Sequence, residues 1–111
     1  MFLMPLLAAA AVITPLTPPA EADMRCAVAM LYATGMASEK KNEAQIIAFT
    51  SATAFYTGKL AVKAPDLDLS AQIDRLTNDN TFLREIDNEV QRCALEAGTA
   101  MQRMGTSASG T

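Results

Sequence analysis

The chain contains no histidine and no tryptophan, and only 5% of its residues are aromatic. Without histidine, Ser-His-Asp and Cys-His catalysis, imidazole metal ligation and an imidazole pH switch are all excluded. A basic patch is missing too: nine Lys and Arg stand against twelve Asp and Glu, neither sign is clustered, and Lys40-Lys41 reads as a solvated face. That balance argues against nucleic-acid binding. There is no Cys-x-x-Cys, no dinucleotide-binding glycine fingerprint and no internal repeat, so no cofactor is expected. Strand signals are equally scarce, because Ala, Leu, Met, Glu, Lys and Gln dominate over Val, Ile and Thr. No apolar run reaches the ~20 residues of a membrane span.

What is present begins with residues 1–22. They open with Phe2-Leu3-Met4-Pro5-Leu6-Leu7, continue through the alanines at 8–11 with Val12 and Ile13, and carry no charged side chain until Glu21. An apolar run of ~7–15 residues followed by small-x-small, here Ala20-Glu21-Ala22, is the layout of a secretory signal peptide. Pro15, Pro18 and Pro19 stop the apolar helix and present an extended chain to a peptidase. Cleavage is therefore expected after Ala22, with Asp23 as the new first residue and a periplasmic or secreted location. Glu21 leaves with the signal, so eleven acidic residues remain against nine basic ones, a net charge of −2. The remainder is long enough for one domain, 23–104, followed by a small polar segment, 105–111, expected to be a disordered tail.

A domain this short buries only a little over ~60% of its unfolded surface and gains from a covalent staple. The two cysteines, Cys26 and Cys93, supply one in an exported chain. Bridging a separation of 67 residues is worth about 4 kcal/mol in the chain-entropy account;. Two isolated cysteines without histidine cannot close an ordinary zinc site, and no metal is expected.

Periodicity predicts four helices. The first covers 24–36 behind a possible N-cap at Asp23, with Cys26, Met30 and Ala33 at helical spacing and some loosening near Gly35. The second covers 38–63, with Ile46, Phe49, Thr53, Tyr56 and Leu60 drawing one stripe that Ile47, Phe55 and Val62 widen. It ends by Ala64, because the residue before Pro65 is pushed out of the helical region. Pro65-Asp66-Leu67-Asp68 is a turn, and Asp68 or Ser70 caps a short third helix carrying Leu69, Ile73 and Leu76. Thr77-Asn78-Asp79-Asn80 interrupts, and a fourth helix starts near Thr81 with the stripe Phe82, Ile86, Val90, Cys93, Ala97 and Met101. Cys26 and Cys93 both lie on inward faces. The predicted fold is a compact all-α bundle of about four helices whose first and last members are tied by the Cys26 to Cys93 disulfide.

Candidate chemistry is thin. Glu39 with Glu43 and Glu85 with Glu89 stand at helical-turn spacing and could serve as acid and base, although such pairs are ordinary on a solvated helix. Tyr56 and Lys59 differ from the Tyr and Lys of a reductase site by one residue in spacing, and Gly58 reads as a close-approach position for another helix. Met24, Met30, Met36, Met101 and Met104 could build a soft binding surface or a thioether copper site, or simply fill the core.

The layout of an early Cys26, the segment Phe55-Tyr56-Thr57-Gly58-Lys59-Leu60, then Pro65 and a late helical Cys93 resembles small uncharacterised secreted bacterial proteins. More distantly, it is similar to the single-disulfide helical families of HdeA-type periplasmic acid-stress chaperones and Rap/Tai-type immunity proteins. That resemblance implies a helical domain without catalytic residues. The expectation is an exported, non-enzymatic protein that acts on another protein or has a structural role. A chaperone or immunity-type inhibitor and a carboxylate-dependent hydrolase are the rivals.

Overall fold

The computed structural model describes residues 15–108. The apolar stretch of the expected signal peptide, before Pro15, and the last three residues of the expected tail lie outside them. Among the described residues there are five helices and no strand: α1 (Pro18–Glu39), α2 (Glu43–Lys63), α3 (Leu69–Thr77), α4 (Asn80–Arg84) and α5 (Ile86–Ala108).

α1 starts earlier than periodicity suggested. Thr17 is extended and accepts a hydrogen bond from the Ala20 N–H at 3.4 Å, while Pro18 and Pro19 occupy the first helical positions, where a missing N–H costs nothing;. Asp23 is therefore an interior helical residue and not a cap. Buried positions follow one another almost without interruption from Asp23 to Met30, so α1 is covered on several sides;. It packs against α2, α3 and α5. Its abundant alanines let these neighbours approach closely.

Gly35 does not loosen α1, which runs on to Glu39. There Lys41 takes φ 55°, its N–H bonds to the Ser38 carbonyl at 3.1 Å, and the Asn42 N–H bonds to the Ala37 carbonyl at 3.0 Å. This is a Schellman ending with a lysine where glycine is favoured, at a conformational cost of about 1–2 kcal/mol. It moves the start of α2 from the expected residue 38 to Glu43. Asn42 caps α2 by accepting from the Gln45 N–H at 3.1 Å.

α2 buries Ala52, Tyr56 and Leu60 and half-buries Phe49 and Phe55. Its stripe is narrower than expected, since Ile47 and Val62 are 67% and 84% exposed. Among the described residues the helix lies on α1 and α5 alone, and Ile47 and Val62 stand on its exposed side. A Cβ built at Gly58 meets nothing within 4 Å, so no helix approaches there and the close-approach reading is corrected.

Asp68 caps α3 by accepting from the Ala71 N–H at 3.1 Å, and Asp79 caps α4 by accepting from the Thr81 and Phe82 N–H groups. The expected fourth helix is split at Glu85 into short α4 and long α5. Its stripe survives the break: Phe82, Ile86, Cys93 and Ala97 are buried, with Val90 and Met101 packed at the edge. α5 continues through Gly105 to Ala108, beyond the boundary drawn at Met104. Extending an established helix fixes one residue per hydrogen bond, and a single glycine costs only about 1 kcal/mol, too little to force a stop.

Candidate functional site

Three polar arrangements are built into the α1, α2 and α5 core. The first is the bridge. Cys26 on α1 and Cys93 on α5 are joined with Cα atoms 5.4 Å apart, and both are buried. The Arg92 guanidinium donates to Cys26 Sγ at 3.5 Å and to Glu89 Oε2 at 2.7 Å, while Arg25 lies 4.0 Å from Glu89 and 4.8 Å from the Phe82 ring centroid. Cys26, Glu89 and Cys93 thus crowd together. With the sulfurs bonded to each other, only the carboxylate remains as a metal ligand.

The second is a carboxylate clamp. Asp23 on α1 is buried, and its two oxygens receive Lys59 at 3.1 Å and Lys63 at 2.6 Å, both from α2. Both lysine side chains stay about one-third exposed, so the charges are neutralised without full desolvation of both partners;. Lys59 also sits over the Phe55 and Tyr56 rings at 5.2 and 5.5 Å.

The third joins α2 to α5. Tyr56 is completely buried, and its hydroxyl faces two acceptors, the Cys93 carbonyl at 2.7 Å and Glu96 Oε1 at 2.8 Å. Burial raises the phenol well above its ordinary value, and the hydrogen bond to Glu96 and that residue's charge push it the same way;. A phenol held neutral in this way is a structural donor.

The outer opening between these helices is a groove of about 340 Å³ whose lining mixes the apolar Tyr32, Met36, Phe49 and Val90 with the polar Lys40, Gln45, Asp87 and Gln91. Tyr32 and Met36 are 42% and 38% exposed.

Most residues singled out for chemistry are spoken for or separated. Glu39 and Glu43 fall on different helices, on either side of the Lys41 turn. Glu85 sits at the α4–α5 break, and Glu89 is engaged by Arg92. Tyr56 and Lys59 point to different partners, Glu96 and Asp23. Met24 and Met30 are sealed in the core, Met101 is packed at its edge, and Met36 and Met104 are exposed. Sequence reasoning missed the clamp, the Glu96 partner of Tyr56 and the groove. Lys59 and Lys63, one helical turn apart, were the available signal for a shared anion, but nothing local identified Asp23 as that anion.

Among the described residues no helix is long and apolar enough to cross a membrane. No protein-family model matches this chain, and neither a curated protein nor a solved structure is significantly similar to it.

Proposed function

We propose that this is an exported helical protein without catalytic activity that binds another protein through the groove between α1, α2 and α5. The observation that carries the reading is the exposed pair Tyr32 and Met36, which lines one groove together with Phe49, Val90, Lys40 and Asp87. Aromatic and methionine side chains interspersed with polar and charged ones are the composition of a protein interface. Export is supported by the buried Cys26–Cys93 bridge, a bond that persists in oxidising compartments;.

The test is affinity capture of the mature protein from its own envelope, followed by rebinding with the purified partner. Met36→Glu places a charge in the groove lining at a residue outside the core, and the expected outcome is at least a tenfold weaker Kd, about 1.4 kcal/mol;. Equal affinity of the parent and the variant would remove the groove from the interface.

One feature favours a second reading, an acid-activated chaperone. The clamp between α1 and α2 depends on a single buried carboxylate, Asp23. Acid neutralises carboxylates while Lys and Arg stay charged, so self-repulsion would act on a bundle whose bridge still holds α1 to α5. Hydrophobic-dye binding that stays flat from neutral pH to about pH 2–3 would end this reading. A rise would have to be accompanied by suppressed aggregation of a client protein.

A further inference from the structure

The first turn of α1 lies on the leader side of the expected cleavage site, and it is not idle. Ala20 is buried, and Leu16 packs against the same apolar cluster that contains Leu76 of α3. Glu21 Oε1 lies 2.6 Å from Arg75 Nη2, tying this turn directly to α3. Arg75 in turn donates from Nε to the Oε1 of buried Gln72 at 2.8 Å. α3 has nine residues, too few for a helix to persist without docking;.

Asp23, the first residue beyond the cleavage site, is held independently by Lys59 and Lys63. Removing the preceding turn therefore leaves α1 fixed to α2, and the loss falls on α3. We propose that residues 16–22, which include the first turn of α1, form a strap that seats α3 on α1 in the uncleaved chain, and that the chain cleaved after Ala22 folds with α3 unseated. The inference rests on the export reading, since it needs processing at that bond. Because a signal peptidase takes an extended substrate, cleavage precedes closure of α1, and the loosened α3 is a property of the mature protein from its first folding. Processing removes the Glu21–Arg75 pair that reaches α3, the buried Ala20 and the packed Leu16 from the shared core, and the Thr17 cap of α1.

The experiment starts from the intact mass of the exported protein, expected to begin at Asp23. Amide hydrogen exchange is then compared for three oxidised samples: the uncleaved full chain, the full chain with Glu21→Gln, and the mature protein. α3 amides are expected to exchange at least about tenfold faster in the mature protein, with α2 and α5 unchanged. Glu21→Gln, at a half-exposed residue the bundle tolerates, is expected to move α3 of the full chain toward the mature rate. Equal α3 protection in the full and mature chains overturns the strap, as does a Glu21→Gln chain whose α3 exchanges at the parent rate. A mass that begins upstream of Leu16 overturns the cleavage reading instead, and the Glu21→Gln arm still decides whether the strap exists.

Discussion

Asp23→Asn separates two accounts of the same residue. At a helix N-cap, Asn serves as well as Asp, and the substitution would be nearly silent. In the observed position, the carboxylate receives two ammonium groups, at 3.1 and 2.6 Å, while itself almost sealed from water. Hydrogen bonds to a charged group contribute about 1.5–3 kcal/mol each. Both lysines are about one-third exposed and can turn to water when the charge is lost, which discounts that figure by roughly half;. The Asn amide oxygen still accepts one weaker bond. The expected loss is about 2 kcal/mol, or a Tm lower by about 10 °C for a domain of this size. Urea unfolding of oxidised parent and variant, monitored by far-UV circular dichroism, measures it. The cycle with Lys63→Met should be less than additive, because the two substitutions remove a shared contact. A variant within 0.5 kcal/mol of the parent, or strict additivity with Lys63→Met, would refute the clamp.

Three further perturbations have defined outcomes. Replacing both cysteines by alanine should lower stability by about 4 kcal/mol, as closing a 67-residue separation implies, and a change under about 1 kcal/mol in equilibrium unfolding would show that the denatured chain is already restricted;. Gly58→Ala should stabilise by about 0.5–1 kcal/mol, since a Cβ there meets nothing and alanine restricts the unfolded chain; a lower Tm would contradict the open surface at that position;. Tyr56→Phe should cost about 1–2 kcal/mol at neutral pH by removing the donor to Cys93 and Glu96;. It should also change the alkaline limb: the folded phenol is raised above its ordinary value near 10, so its share of stability is intact below that pH. Above it the unfolded phenol ionises first, and stability falls by up to about 1.4 kcal/mol per pH unit. The parent-minus-variant difference in chemical unfolding is the quantity to read, since every other titrating group is common to both proteins. A difference that does not change above pH 10 would contradict the assignment.

Local chemistry carried much of the fold. Pro65 ends α2, Asp68 caps α3, and the Phe82 to Ala97 stripe lines the core, because each depends on φ limits, a nearby N–H or a period of 3.6;. The misreadings share another origin. Asp23 looks like a cap because an acid at a helix start is usually one, and only α2, forty residues away, makes it a clamp. Thr17 was hidden inside a segment whose composition speaks for export. The width of the α2 stripe depended on how many helices surround it, which periodicity within one helix does not encode. The α4–α5 break at Glu85 likewise leaves the apolar period undisturbed. The groove is a property of three helix ends meeting, and no stretch of sequence contains it.

Cys26 sits on the first helix to be made, and its partner follows only after α2, α3 and α4. At a synthesis rate of about 5–20 residues per second, the 67 intervening positions keep that thiol unmatched for roughly 3–13 s;. During that interval the alanine and methionine faces of α1 wait for α5, and the thiol can attack oxidised glutathione or the disulfide of an oxidoreductase; the mixed disulfide so formed can in turn be attacked by the same thiol on a neighbouring chain, releasing the carrier thiol. Correct pairing is therefore a contest of rates, decided by how early α2 shields Cys26 and how soon Cys93 emerges. Mixed disulfides and covalent dimers through Cys26 are the by-products to look for when production outpaces the folding of single chains.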